Sequence, residues 1–120
     1  MSPRPAERWT VRLANRADQD FVEILRWTAE SFGVRQARVY AKTLSLAIEA
    51  LIEGPGVVGA KQREVIGPGI GTLHVARLGR KGRHFVVFRV TDERTIDVLR
   101  LLHDSMDLTQ HIGASNEGGS

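Results

Sequence analysis

Two apolar runs near the C-terminus constrain the fold more than any other part of the chain. They span residues 84–90 and 95–102, and the polar connector Thr91-Asp92-Glu93-Arg94 separates them. The first is rich in valine and phenylalanine, the second is rich in leucine, and both are bounded by turn-forming residues. Runs of this length and composition are typical of neighbouring antiparallel strands. The sequence therefore predicts a β-hairpin at the centre of the fold.

Composition limits the number of domains and the kinds of site. A chain of 120 residues with 42% hydrophobic and 26% charged residues predicts one globular domain. Cysteine is absent, which excludes disulfides and cysteine-based zinc sites. No apolar segment follows the first five residues, and no run approaches the roughly 18 apolar residues of a membrane span. We therefore expect a cytoplasmic protein with no membrane partner.

The first half of the chain predicts one strand and two helices. Residues 9–13 alternate apolar and polar side chains, as a short strand does. Asn15 is the predicted N-cap of the first helix, with Asp18 three residues further on, and Gly33 ends it. A second helix has apolar residues at three- and four-residue steps, and Gly54-Pro55-Gly56 terminates it. The two helices form an αα-hairpin whose apolar faces cover the sheet.

The second half predicts the rest of the sheet and a short last helix. Residues 61–66 form either a short strand or an ordered loop. Residues 72–78 form a strand, and residues 79–82, with glycine at both ends, form the turn to the next strand. Asp104 is the predicted cap of the last helix, with Asp107 at its third position.

These elements predict an α+β fold in two layers. It consists of an N-terminal strand, an αα-hairpin, a three- to four-stranded antiparallel sheet and a short C-terminal helix. The helix pair covers one sheet face, and the other face is open or partly open. We expect the domain over residues 9–112, an N-terminal arm over residues 1–8 and a disordered tail over residues 113–120.

Known catalytic and metal-binding motifs are missing from the sequence. The four histidines, at positions 74, 84, 103 and 111, lack the spacing of metal ligands, so we expect neither a metal ion nor another cofactor. No serine lies in a GxSxG motif. The glycines of GPGIG at residues 67–71 lack the Lys-Ser/Thr pair and the helix of a phosphate-binding loop.

Basic residues of the predicted sheet are the remaining candidates for a site. Residues 72–103 contain seven arginines and lysines against three acidic residues, which suits a phosphate-rich or acidic partner. A solvated charged hairpin is an equally good interpretation of that count. Strand alternation places Arg89 with Phe85 on the open face if Val86 and Phe88 face the helices. Arginines there can bind RNA phosphates, stabilise the charge that builds up when a 2′-hydroxyl attacks a phosphodiester, or pair with acidic side chains of a partner protein. Aromatic residues for base stacking are scarce, which weakens the RNA interpretation.

Over residues 9–112 the chain resembles the RelE/ParE superfamily of toxins from type II toxin–antitoxin systems, and most closely its ParE branch. The resemblance rests on an ordered set of short motifs rather than on one signature. These are Ala17-Asp18-Gln19-Asp20, Phe32-Gly33, Gln36-Ala37 with Tyr40, Leu51 with Pro55 and Gly59, Arg83-His84 with Phe88-Arg89-Val90, and VLRLLHDSMDLTQHI at residues 98–112.

The resemblance implies a toxin that a co-encoded, ParD-like antitoxin neutralises by wrapping around it. A ParE-like toxin inhibits DNA gyrase by binding and has no established catalytic centre. A RelE-like relative cuts mRNA on the ribosome, which is the main alternative, and a non-toxic remnant that still binds antitoxin is a third. The ribonuclease candidates here are Arg77, Arg89, Arg100 and His103. The chain has no tyrosine after its last strand, which departs from the RelE pattern, and the favoured role of His103 is structural, bonded to neighbouring backbone.

A binding surface for the antitoxin is expected between the helix hairpin and the sheet. Such a groove accepts an amphipathic helix or an added strand, since an antiparallel sheet of this size has free edges. The toxin is then a hetero-oligomer with its antitoxin. The partner-binding candidates are Val39, Tyr40, Leu46, Arg80, Lys81, Arg83, His103, Met106 and Asp107.

Overall fold

A helical hairpin packs on one face of a twisted five-stranded sheet. The structure is a computed structural model, and it describes residues 8–110. The sheet order is β1-β5-β4-β3-β2, with β1 parallel to β5 and every other neighbouring pair antiparallel. The elements are β1 (Thr10–Leu13), α1 (Asn15–Phe32), α2 (Val34–Ala50), a 3₁₀ turn (Leu51–Glu53), β2 (Ala60–Gln62), β3 (Ile70–His74), a second 3₁₀ turn (Arg77–Gly79), β4 (His84–Asp92) and β5 (Thr95–His103).

The predicted α+β fold is confirmed, and the sheet has more strands than expected. The hairpin read from the two apolar runs is β4 and β5. The N-terminal strand joins the same sheet beside β5, so the sheet has five strands instead of three or four. The segment 61–66 contributes only the end of β2, because the backbone turns at residues 64–66.

One apolar core joins the helix pair to the sheet. Val86 and Phe88 both face it from β4, which is the arrangement that puts Arg89 on the other face, and Leu44 and Leu51 meet them from the helical side. Gly71 on β3 leaves room for the Phe88 ring, whose atoms occupy the space that a Cβ would need. The opposite face is partly covered, since Ile66 and Leu108 pack on a small cluster there. That cluster consists of Ile70, Val87 and Leu102.

The two helices meet at Gly33, as predicted. Its φ of 99° lies in the left-handed region, where glycine is favoured, and its N–H donates to the Ala29 carbonyl. The predicted N-cap of α1 is wrong by one residue. Ala14 holds the cap position without a side-chain hydrogen bond, and Asn15 is already helical. The reason is tertiary: Ala14 N–H donates to Val98 O at 2.9 Å, so the chain stays extended along β5 up to Ala14.

The strand predicted over residues 72–78 is misplaced. β3 begins at Ile70 and ends at His74, because Ala76 N–H donates to His74 Nδ1 at 3.0 Å and not to a neighbouring strand. Leu78 then adopts a φ of 57°, which turns the chain away from the sheet. The β3–β4 connection therefore covers residues 75–83, more than the tight turn predicted at residues 79–82.

The predicted cap of the last helix is also wrong. Asp104 lies in a turn, and its carboxylate accepts hydrogen bonds from Arg83 and His74 instead of from a helix N-terminus. Asp107 takes the capping role, because its Oδ1 accepts from Gln110 N–H at 3.3 Å and a helical turn starts at Leu108. Residues 111–120, which include the predicted tail, and most of the predicted arm lie outside the described residues. Within residues 8–110, no helix is both long and apolar enough to cross a membrane.

Candidate partner-binding groove

A groove of about 1160 Å³ separates the helical hairpin from the loop that precedes β4. We call it the helix–loop groove, and residues 79–83 the basic loop. Its lining comes from both helices, the basic loop and the ends of β4 and β5. The lining residues are Glu23, Ile24, Trp27, Thr28, Phe32, Gln36, Val39, Tyr40, Thr43, Gly79, Arg80, Lys81, Gly82, Arg83, His84 and His103.

The helical wall of the groove is apolar and exposed. Trp27 is 61% exposed, Phe32 is 64% exposed and Val39 is 51% exposed. The Trp27 and Phe32 rings pack edge to face with their centroids 5.6 Å apart. Clustered large apolar side chains on a surface mark a contact site, whereas single ones do not. This wall is therefore suited to an apolar partner surface.

The opposite wall is basic and is tied to α2. Arg80 Nε donates to Thr43 Oγ1 at 2.9 Å, which holds the basic loop against the helix. Arg83 N–H donates to the Tyr40 hydroxyl at 3.1 Å and forms a second tie. The loop thus presents Arg80, Lys81 and Arg83 along one rim of the groove.

Two stacked histidines and a tyrosine close one end of the groove. Tyr40 Oη lies 2.6 Å from His84 Nδ1, within hydrogen-bond distance, and also accepts from Arg83 N–H. The Tyr40 hydroxyl keeps its proton because burial raises its pKa. Burial, followed by the neighbouring His103, lowers the pKa of His84 to about 4. His84 is therefore neutral at pH 7 and stacks edge-on against His103 at 5.4 Å.

Asp104 lies behind the basic loop and pairs with it. Its carboxylate is 3.0 Å from Arg83 Nη2 and 2.9 Å from His74 Nε2. His74 Nδ1 accepts from Ala76 N–H, so Nε2 carries the proton and donates it to Asp104. The hydrogen bonds from Arg83 and then from His74 hold the pKa of Asp104 well below its usual range.

Six of the predicted partner-binding residues line this groove together. They are Val39, Tyr40, Arg80, Lys81, Arg83 and His103. Leu46 is half-buried on α2 and does not line it. Met106 borders a separate cavity of about 610 Å³ beside Phe85 and Leu108, and Asp107 caps the turn next to it.

Sequence reasoning missed the aromatic part of the groove. Phe32 is marked in the sequence as part of the Phe32-Gly33 motif, and its side chain is mostly exposed. Trp27 belongs to none of the predicted sites, and a large aromatic residue on a predicted helix was the available signal. Glu23 and Gln36 carry no such signal, because polar residues are ordinary on an exposed helix surface.

The four ribonuclease candidates have separate surroundings. Arg77 lies in a 3₁₀ turn and its Nε donates to the Val58 carbonyl, so its predicted strand position is wrong. Arg89 alternates with Phe88, which places it on the sheet face away from the helices. Arg100 is largely buried against α1, where it forms a two-pronged ion pair with Asp20 at 2.8 and 3.1 Å.

His103 lies at the end of β5 and is held by Ser105, two residues further on. Its Nδ1 accepts from Ser105 N–H at 3.2 Å and lies 2.7 Å from the Ser105 hydroxyl. This geometry fits the structural role of a strand-end histidine bonded to nearby backbone. Among residues 8–110, no group of three or more acidic or histidine side chains is placed to hold a metal ion.

The fold and the groove define a small α+β domain suited to holding another polypeptide against its helical hairpin. The chain belongs to the family described as the ParE toxin of the type II toxin–antitoxin system parDE, whose model matches residues 11–108. It is thus a member of the ParE-like branch of the RelE/ParE superfamily, as the sequence motifs indicate.

Relatives of known name cover nearly the whole domain. Toxin ParE1 of Caulobacter vibrioides is 32% identical over 102 residues, which are 85% of this chain and 96% of that protein. Toxin ParE1 of Mycobacterium tuberculosis is 33% identical over 100 residues, 83% of this chain and 94% of that protein.

Two solved structures share the fold. A chain of the chromosomal ParDE system from P. aeruginosa matches with a TM-score of 0.65 and 18% identity, over 81% of this chain and 97% of that one. A chain of the toxin–antitoxin complex RelBE2 from Mycobacterium tuberculosis matches with a TM-score of 0.51 and 23% identity, over 80% of this chain and 98% of that one.

Proposed function

We propose that this ParE-family toxin inhibits DNA gyrase by binding it, and that a co-encoded ParD-like antitoxin neutralises it by occupying the helix–loop groove. The observation that carries the antitoxin part is the exposed apolar wall of Trp27, Phe32 and Val39 facing a basic rim. An amphipathic segment with acidic side chains complements both walls. The ParDE name of a structural neighbour supports a partner of the ParD type.

The scattered positions of the ribonuclease candidates support binding over catalysis. General acid–base cleavage needs groups within hydrogen-bond reach of one reacting centre. Arg77 and Arg100 are each engaged by this chain's own groups, the Val58 carbonyl and the Asp20 carboxylate, and of the four candidates only His103 lines the groove. The position of His103 at the mouth of the groove is the one observation that favours the RelE-type ribonuclease alternative.

Antitoxin binding is tested by co-expressing the chain with the product of the adjacent reading frame. Trp27→Ala is expected to weaken the complex at least tenfold, because large aromatic anchors in interface centres carry much of the binding energy. Val65→Ala is the matched control, since this side chain is 92% exposed and outside the groove. Equal effects of the two substitutions would place the antitoxin elsewhere.

The target is tested by inducing the free toxin and following which process stops first. We expect loss of negative supercoiling and an SOS response, and inhibition of purified gyrase in a supercoiling assay. Arg89→Ala and His103→Ala are expected to leave the fold intact. Site-specific mRNA cleavage that both substitutions abolish, with supercoiling intact, would replace gyrase by the ribosome as the target. Antitoxin binding without any growth arrest would identify a non-toxic remnant.

A further inference from the structure

The three cations on the rim of the helix–loop groove differ in whether their charge is neutralised within the chain. Arg83 pairs with Asp104, through Nη2 at 3.0 Å and through Nε at 3.1 Å to both carboxylate oxygens. Arg80 donates to the uncharged hydroxyl of Thr43, and within residues 8–110 it forms no ion pair. Among the described residues, Lys81 lies in no ion pair, and its side chain is exposed.

Asp104 neutralises Arg83 from outside the groove. Its side chain is only 19% exposed and borders the second cavity, whereas the Arg83 side chain is 70% exposed and borders the helix–loop groove. His74 Nε2 and the backbone hydrogen bond from Asp104 N–H to the Arg83 carbonyl, at 2.8 Å, fix the carboxylate in place. A partner in the groove therefore meets an arginine whose charge is already matched.

We infer that Arg80 and Lys81 recognise the carboxylates of an acidic, amphipathic protein segment in the groove, and that Asp104 determines this choice by neutralising Arg83. This inference rests on the proposed binding of an antitoxin in the groove. It adds which residues of the groove bind the acidic side chains of the antitoxin. A protein segment fits better than a nucleic acid, because Ile24, Trp27, Phe32 and Val39 line the opposite wall. Glu23 on that wall repels an acidic group, so the acidic side of the segment faces the basic loop.

The test measures the affinity of the full chain for the product of the adjacent reading frame at low and high salt. Arg80→Gln and Lys81→Gln are each expected to weaken binding roughly threefold at low salt, with the loss shrinking as salt increases. Arg83→Gln combined with Asp104→Asn removes both charges of the pair, so this double variant is expected to keep the salt dependence of the native chain, even where the loop loses order. Asp104→Asn is expected to strengthen binding roughly threefold at low salt, since it exposes a third cation.

A double variant separates charge from folding. The gain from Asp104→Asn is expected to vanish when Arg83→Gln is added to it, because the exposed cation is then absent, which a purely structural role of Asp104 does not predict. Weaker binding by Asp104→Asn, or a flatter salt dependence in the double variant, would overturn the inference while leaving antitoxin binding intact. No binding of the native chain would overturn both proposals. A single-stranded RNA oligonucleotide bound with the same dependence on Arg80 and Lys81 would replace the protein segment by a nucleic acid.

Discussion

The ion pair between Arg100 and Asp20 makes the most demanding prediction about this fold. Arg100 on β5 and Asp20 on α1 are 80 positions apart in sequence, and their side chains are only 13% and 10% exposed. Asp20 also accepts a hydrogen bond from Leu101 N–H at 2.9 Å, so the pair joins the helix to the last strand. Arg100→Gln leaves a carboxylate in this buried position without its cation.

The expected cost of Arg100→Gln follows from burial. Removing one partner of a buried ion pair typically costs about 3–5 kcal/mol, because the remaining charge is desolvated and unpaired. Since Leu101 N–H still donates to Asp20, we expect the free energy of unfolding to fall by about 3 kcal/mol. That is a large share of the roughly 5–15 kcal/mol that stabilises a domain of this kind. With a urea m-value of about 1.5 kcal/mol per molar, the unfolding midpoint falls by about 2 M.

Arg12→Gln is the matched control in the same urea titration. Arg12 and Asp97 form a two-pronged pair of almost equal geometry, at 2.7 and 3.2 Å, but the Arg12 side chain is 60% exposed. Exposed pairs contribute little, because water and salt screen them. We therefore expect no measurable shift of the midpoint for Arg12→Gln.

The difference between Arg100→Gln and Arg12→Gln tests whether burial sets the contribution of each ion pair. If Arg100→Gln costs no more than Arg12→Gln, burial does not determine the contribution of these pairs. Adding Asp20→Asn to Arg100→Gln is expected to recover part of the loss, since a neutral amide keeps an acceptor for Leu101 N–H. The same experiment bears on function: loss of activity on replacing Arg100 reflects loss of folding unless the variant is shown to be folded.

Three further predictions concern pH, packing and the groove. Because the pKa of His84 is lowered from 6.5 to about 4, His84 binds a proton between those pH values in the unfolded chain but not in the folded chain. This contribution to the free energy of unfolding is therefore fully present above pH 6.5 and is lost as the pH drops toward 4. We expect a loss of about 2 kcal/mol after allowing for partial exposure of the ring. Urea titrations across that pH range measure it, and His84→Gln is expected to remove this pH dependence. Gly71→Ala is expected to cost about 1–3 kcal/mol, because the new Cβ meets the Phe88 ring, whereas Gly56→Ala meets open space and costs little; equal thermal unfolding of the two variants would contradict this. Tyr40→Phe removes the acceptor of Arg83 N–H and the hydrogen bond with His84, so we expect a loss of about 1–2 kcal/mol and faster hydrogen exchange in residues 79–83; unchanged exchange there would mean that the hydroxyl does not hold the loop.

Sequence reasoning succeeded where the deciding interactions are local. The β4–β5 hairpin follows from two apolar runs and their connector, and the end of α1 follows from Gly33, whose positive φ other residues rarely adopt. It failed at the α1 cap and at Asp104, where the deciding bond comes from a distant group, Val98 O or the Arg83 guanidinium. It also failed at the end of β3, where the bond is local, because a strand pattern does not specify that the His74 ring accepts from Ala76 N–H.

The candidate site divides in the same way. The residue types that make the groove basic and apolar can be read from the chain, and six of the predicted partner-binding residues do line one groove. The sequence does not show which of these cations forms an ion pair. Arg83 and Asp104 are 21 positions apart and meet only because the loop packs against the end of β5. The same holds for Arg100, which looks like a surface arginine in sequence and is buried against Asp20.

By itself, the sequence determined the class of fold, the order of its helices and strands, the family and the positive charge of the loop before β4. These depend on hydrophobic periodicity, on glycine conformation and on composition, all of which act over a few neighbouring residues. Three features depend on the tertiary structure. They are the partial covering of the open sheet face by Ile66 and Leu108, the exposure of Trp27 and Phe32 beside the basic loop, and the choice of which arginines form ion pairs. Those outcomes depend on contacts between segments far apart in the chain. Burial lowers the local dielectric around an Asp–Arg pair, so the loss of either partner becomes costly to the fold.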